Sequence, residues 1–406
     1  MTLLENETTS AEAGRALTGS SRHLDVEGVH GKVSREARRG RPKLYTSYAS
    51  EQALLNTPAK RWWMLGFLAL VIAAPFAVAA DITYLLTMAA VYAIGGIGLN
   101  LLTGYAGQVS LGHAFFVGVG AYTASVLGGK PGATTWGLGL DLAIAIPAAA
   151  IVPGVIGLIV APLATRVRGL YLAVLTLGLL IVGEHLFKIL VPITGGQGVG
   201  RGVPERVLFG LDLTRTYAIG PLRVPPHVSL FLIALVILVI LGVAARNLVR
   251  GRYGRAFAAV RDRDIAAEIM GVNLLRTKTL AFALSSAFAG VAGALLAILV
   301  GRIAPESWNL FMSIDFLAVV VIGGVATISG SIIGACFVVL LPRLLEELTT
   351  VIPWITVSAG GFINVFQLQT IIFGILIIAF ITLEPRGLYG LWLRVKNYFS
   401  AWPFSY

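Results

Sequence analysis

Seven long runs of this chain carry no Asp, Glu, Lys or Arg: 62–80, 82–129, 142–165, 228–245, 279–301, 316–342 and 348–383. About 18–20 apolar residues carry a helix across the ~30 Å hydrocarbon core of a bilayer, and several runs are long enough to cross twice. An open strand edge finds no hydrogen-bond partner in lipid, so segments of this kind must be helical. The fold class read from the sequence is therefore all-α, a polytopic helical membrane protein. Only 13% of residues are charged, against about 25% in soluble domains, and the 47 glycines suit close approach between membrane helices. The formal net charge of +11 raises nucleic acid as a partner. The basic residues, however, sit beside the apolar runs, where they act as an orientation signal, so no nucleic-acid partner is expected. Cys336 is the single cysteine, which excludes a disulfide within the chain and suits a small apolar packing residue.

Residues 1–59 are polar and lack apolar periodicity, and they read as a flexible cytoplasmic tail. Ala77, Val78, Ala79 and Ala80 resemble a signal-peptidase site, but some 60 polar residues precede them. A signal peptide begins with a short basic segment, so run 62–80 is read as an uncleaved first span. Eight basic residues between Lys32 and Arg61, and eight more in 246–278, place both segments in the cytoplasm. An even number of spans then separates them. Six fit: 62–80, 83–103, 109–128, 142–164, 169–190 and 228–245. Four follow: 279–300, 313–328, 330–346 and 362–383. This arrangement of about ten spans gives a transmembrane domain over 60–395 with the cytoplasmic loop 246–278. A short C-terminal tail, 396–406, follows, and both termini of this cell-membrane protein lie in the cytoplasm. The outer loop 191–226 carries four basic residues, against the rule, and 313–346 is short for two crossings.

Four segments carry chemistry. Residues 98–113 interrupt an uncharged run with Gly104, Gly107 and Gly112, interspersed with Asn100, Thr103, Gln108, Ser110 and His113. Two readings fit: a broken helix beside a translocation path, or a tight turn whose polar groups bond neighbouring helices. A second glycine-rich break covers 323–334; it is either a counterpart of the first or a packing seam. Residues 194–200, including Gly195, Gly196 and Gln197, suit a flexible outer loop, an array of N–H groups facing an anion, or a surface for substrate access and binding-protein docking. No Gly-Lys-Ser/Thr follows, so this is not a nucleotide-binding loop. The central block 254–273 places Ala259, Ile265, Ile269 and Met270 on the apolar side of short helices, with Arg261, Asp262, Arg263 and Asp264 solvated. It suits either a basic loop near anionic lipid or an element that fits a cytoplasmic motor subunit.

These blocks, together with Arg168 to Tyr171 and Glu384 to Leu388, occur in an order that resembles the branched-chain amino-acid ABC transporter permeases of the LivM/LivH family over about residues 62–395. The resemblance implies the ten-helix architecture of importers for metal chelates and vitamins, with the coupling loop between the sixth and seventh helices. The span count places this loop there independently. Contacts to cytoplasmic ABC ATPase subunits are then expected from Arg255, Ala259, Arg261, Asp262, Asp264, Ala267 and Gly271. Asn100, Gly104, Gln108, Ser110, Gly112 and His113 are candidates for the translocation path, and Gly195, Gly196 and Gln197 for the outer loop. The partners implied are those ATPases, a homologous LivH-like permease, an extracytoplasmic substrate-binding protein and the lipid bilayer, with no cofactor of the chain's own. The solute implied is a branched-chain amino acid, with urea, short amides or other amino acids as alternatives. One departure is visible: Val325, Ala326 and Thr327 stand where many relatives have Leu-Gly-Thr, and Gly330-Ser331 where they have Gly-Pro.

Ionisable residues inside a span are functional candidates. Glu184 and Lys188 have the i,i+4 spacing of a local ion pair; a proton relay through Glu184, His185 and Lys188 would instead make the chain a secondary transporter. His113 has no second metal-ligating side chain at ligand spacing. No clustered nucleophile, metal site or carboxylate pair supports a membrane enzyme.

Overall fold

The computed structural model describes residues 58–401, apart from 133–134, 168, 204–205, 220–221, 350–354, 357–362 and 385. Nearly all of the expected tail, together with Arg168 and Pro385 of two motifs, lies outside the described residues. The chain divides into two units, 1–70 and 71–406. Helix α1 (Pro58–Ala77) straddles that boundary. Its Trp62 and Trp63 are exposed, a pair suited to the level of the lipid headgroups.

The second unit is a helical assembly. In order it contains α2 (Ala80–Asn100), α3 (His113–Gly128), α4 (Leu142–Thr165), α5 (Leu170–Ile189), the short α6 (Val191–Thr194) and α7 (Pro226–Arg250). Two shorter amphipathic helices follow, α8 (Arg252–Asp262) and α9 (Asp264–Ile269). Then come α10 (Leu274–Val300), α11 (Leu310–Gly323), α12 (Ile328–Thr349), α13 (Val365–Leu383) and α14 (Gly387–Ala401). Each expected span overlaps an apolar helix, although not all ten are long enough to cross by themselves. Among the described residues seven helices are long and apolar enough to cross a membrane: α2, α4, α5, α7, α10, α11 and α12. The stretch 367–383 of α13 and 387–398 of α14 make a further pair bent by 51°, while α1 and α3 are shorter apolar helices. The chain is thus a multi-pass membrane protein.

Helices α2 and α10 form the centre. Ile94, Ile97 and Leu99 of α2, and Leu295, Ile298 and Ala297 of α10, are buried. Around them, α4, α5 and α7 turn Ile151, Ile159, Val174, Ile181 and Ile240 outward, the distribution that lipid rather than water rewards. Close approach is set by small residues. A Cβ at Gly120 of α3 would lie 2.2 Å from the Gly290 carbonyl of α10, and one at Gly293 would lie 1.9 Å from the Val117 carbonyl. Either would force the two helices apart, the constraint that small residues relieve in membrane helix packing.

Among the described residues, short strands occur in the connections. β1 (Arg201–Gly202) pairs antiparallel with β6 (Arg302–Ile303) and so joins the connection after α6 to the one after α10. Hairpins β2 (Val207–Leu208) with β3 (Leu211–Asp212), and β4 (Tyr217–Ile219) with β5 (Leu222–Val224), fill the rest of that segment. Its hub is Arg201, buried to 3% exposure. Its guanidinium donates to the Ile193 carbonyl (2.9 Å), the Ser125 carbonyl (2.8 Å) and the Trp136 carbonyl. Asp141 caps α4 by accepting from the Ala143 N–H at 2.8 Å, and that bond chiefly holds its carboxyl below the usual carboxylate range.

Candidate functional site

Helix α2 does not run straight into its loop. It passes from Asn100 into a five-residue π-turn, Leu101–Tyr105, which widens the backbone and leaves 106–112 non-helical. Wide turns of this sort cluster at functional positions. Gly104 is required there, because a Cβ would fall 1.9 Å from Asn100 Oδ1 and 2.5 Å from the Ala326 nitrogen.

That second contact reveals the arrangement. The two glycine-rich breaks, distant in sequence, interlock. Asn100 is 1% exposed. Its Nδ2 donates to the Thr327 carbonyl (2.9 Å), Ser331 Oγ (2.8 Å) and, more loosely, the Gly324 carbonyl (3.3 Å). Its Oδ1 accepts from the Ala326 N–H at 2.8 Å. One side chain therefore satisfies the frayed backbone between α11 and α12, as buried polar groups at membrane depth must be satisfied. Ala326 sits at φ 58° and Gly324 at φ 133°. A left-handed alanine is strained by about 1–2 kcal/mol. This is the position where the family resemblance leads one to expect glycine, so the departure noted in the sequence has a structural cost. Ser331, standing in place of an expected proline, contributes a hydroxyl to the same network.

The remaining candidates on the first break are also buried. Ser110 Oγ accepts from the Gly112 N–H at 3.3 Å, and Gly112 lies against the Thr176 carbonyl. A ring nitrogen of His113 bonds the Gly95 carbonyl at 3.0 Å, and its ring meets Phe316 edge-on at 5.1 Å. His113 is thus a bonded packing residue. Gln108 donates to the Lys278 carbonyl at 3.3 Å, but its Oε1, buried, has no partner among the described residues.

The central block folds back onto this break. Arg261 of α8 donates to the Gly104 carbonyl at 3.1 Å. Gly107, at φ 69°, lies so close that a Cβ would be 2.8 Å from Arg261 Cγ and 3.2 Å from its Cα. Asp262 pairs with Arg261 at 2.9 Å, and Asp264 with Lys278 at 3.9 Å. A polar cavity of about 210 Å³ lies between the break and α8–α9, bounded by Gly107, Gln108, Arg261, Arg263, Asp264 and Lys278. Phe257, Val260 and Ala267 are buried against the membrane part, whereas Ile265, Ile269 and Met270 stand 62%, 80% and 83% exposed. Arg255 and Gly271 are exposed and Ala259 is half-buried. Gly271, at φ 87°, closes α9: its N–H bonds the Glu268 carbonyl and the Val272 N–H bonds the Ala267 carbonyl, both at 2.9 Å, a left-handed helix stop. Ala267 can support an outward surface only from behind.

The glycine segment 194–200 is tied by several backbone bonds. Gly195, Gly196, Gly198 and Gly200 all have positive φ. The Gly196 N–H bonds Thr194 Oγ1, the Gly198 N–H bonds the Glu306 carboxylate and the Gly200 N–H bonds the Gly196 carbonyl. With these donors taken, one by a carboxylate, the anion-cradle reading is not supported; Gln197 remains exposed. Glu184 and Lys188 form the expected local pair at 2.7 Å. Sequence reasoning missed Asp315, an acidic residue within α11. It cut an uncharged run short instead of being read as an ionisable group inside a span.

A family model described as the branched-chain amino acid transport system permease component matches residues 81–381. The high-affinity branched-chain amino acid transport system permease protein LivM of Escherichia coli (strain K12) is 32% identical over 304 residues, 72% of this chain and 70% of that protein. Its Salmonella typhimurium counterpart is 31% identical with the same coverage. A probable branched-chain amino acid transport permease protein LivH of Methanocaldococcus jannaschii is 30% identical over 155 residues, 38% of this chain and 46% of its own. No solved structure matches the chain.

Proposed function

Because the chain belongs to the branched-chain amino acid transport permease family, we propose that it is a membrane subunit of an ATP-driven importer for leucine, isoleucine and valine. Cytoplasmic ATPases act on it through α8 and α9, a homologous permease completes the path, and an extracytoplasmic binding protein delivers the solute. The observation that carries this reading is the seat of Arg261 on Gly104 and Gly107. Force applied to α8–α9 reaches the first helix break directly and, through Asn100, the second. Gln108 and Ser110 belong to the part that moves. Residues 60–395 act as the permease domain, with 246–278 as its coupling loop.

The test is uptake by the whole complex in proteoliposomes. ATP inside is expected to drive leucine accumulation in the presence of binding protein, with none when ATP is omitted. Leucine accumulation driven by an ion gradient alone would return the chain to the secondary-transporter class.

Orientation supplies a separate prediction. Residues 1–61, 246–278 and 384–406 are proposed to face the cytoplasm, on the strength of their Lys/Arg excess. In a Cys336→Ala background, cysteines at 255 and 390 should react with an impermeant maleimide only after the membrane is opened. Labelling of intact cells at either position refutes the orientation.

A further inference from the structure

Asp315 lies five residues into α11, roughly 8 Å along its axis, and is partly exposed. Among the described residues it has no ion-pair or hydrogen-bond partner. An ionisable group inside a span is a functional-site candidate, and a cation that arrives from elsewhere would stabilise its charged form. Its surroundings fit one. Asp315 directly precedes Phe316 on α11, the residue whose ring packs on α2. Tyr92 stacks on Phe316 at 4.8 Å. Tyr84, Met88 and Tyr92 recur every four residues and so share one face of α2, with Tyr84 40% exposed and Tyr92 half-buried. A carboxylate beside aromatic faces is the chemistry that recognises a compact ammonium. The same face leads down α2 and α11 to Gly95, which touches Phe316, and roughly 12 Å further along α11 to the interlocked breaks.

Resting on the transport reading above, we propose that Asp315, with the rings of Tyr92 and Tyr84, receives the ammonium group of the transported amino acid as it passes toward the breaks. A cationic side chain from the partner permease is the competing occupant. The assignment also bears on solute class, because urea has no ammonium for Asp315 to hold.

The experiment uses the assembled complex in proteoliposomes, with leucine and urea as solutes, for wild type, Asp315→Asn and Asp315→Glu. Expected is intact assembly of all three. Asp315→Asn should lower leucine carried per ATP hydrolysed at least 10-fold while binding-protein-stimulated hydrolysis persists, and Asp315→Glu should recover a substantial part. A purely structural role would lower hydrolysis and uptake together, and that result overturns the proposal. So does wild-type leucine uptake by Asp315→Asn, which leaves the transport reading standing. Loss of assembly in Asp315→Asn but not Asp315→Glu overturns it in favour of an inter-permease ion pair. A wild-type complex that carries urea and not leucine overturns the solute reading, and this assignment with it.

Discussion

Replacing Ile269 and Met270 together with aspartate is expected to detach the ATPase subunits and abolish uptake while the membrane part still folds. The expectation comes from which sides of α8 and α9 are already used. Phe257, Val260 and Ala267 are buried, so the inward side is occupied by the protein's own core. Ile265, Ile269 and Met270 are left outward, 62–83% exposed, beyond the charged pair Arg261–Asp262. An apolar centre with a polar rim is the usual anatomy of a binding hot spot, where each anchor contributes about 2 kcal/mol or more. Losing two should weaken docking by roughly 100- to 1,000-fold. Ala259→Trp and Gly271→Trp should act the same way through bulk, and Gly271→Trp adds the strain of a left-handed backbone. Asp262→Lys, at an exposed ion pair, should cost only about 0–1 kcal/mol. Arg261→Glu is different in kind. It removes the donor to the Gly104 carbonyl, so its effect should appear as hydrolysis without uptake rather than loss of docking. Copurification of ATPase with the double aspartate variant, together with normal uptake, would remove α9 from the coupling surface.

The sequence made the spans legible because an uncharged run of this length has one physical outcome in lipid. It also made both helix breaks legible, since Gly104, Gly107, Gly323 and Gly324 puncture otherwise continuous helices. What it could not supply was their pairing. Asn100 reaches residues more than 220 positions away, and the two breaks share no sequence pattern that would suggest it. The central block was read correctly as short amphipathic helices, but pattern alone could not say which apolar residues turn inward. Phe257 and Val260 took that role, freeing Ile265, Ile269 and Met270. The glycines of 194–200 suggest a flexible loop. That segment is tied in part through one buried guanidinium, Arg201, shared among three carbonyls from different elements, a long-range fact with no local signal. Asp315 did have a local signal, an isolated acid in an apolar helix, and reading runs by the absence of charge hid it.

Asn100→Leu is expected to be the most damaging single change in the membrane part. Leucine fills similar space but makes none of the bonds to Ala326, Thr327, Ser331 and Gly324. Each buried donor or acceptor left unpaired costs about 1–3 kcal/mol, and several are orphaned at once, so the total loss should be on the order of 3 kcal/mol or more. Asn100→Asp does not rescue it. The acceptor for the Ala326 N–H remains, but a carboxylate then faces the Thr327 and Gly324 carbonyls where a donor is needed. Ala326→Gly should do the opposite. It removes the left-handed strain at φ 58°, retains the N–H to Asn100 Oδ1 and leaves the side-chain bonds untouched. A gain of about 1 kcal/mol is expected, with the ceiling set by glycine's greater freedom in the unfolded chain. Combining Asn100→Leu with Ala326→Gly should restore only the strain component, because the missing bonds are not replaced. Thermal unfolding of the purified complex, followed by size-exclusion, reads these differences in order: Ala326→Gly above wild type, the double variant between, Asn100→Leu lowest. Uptake should fall in Asn100→Leu even in the fraction that remains assembled, if the Asn100 bonds are, as proposed, the route by which motion at α8 reaches the second break. Wild-type stability and uptake in Asn100→Leu would mean that the two breaks are merely adjacent, and that coupling between them runs through other residues.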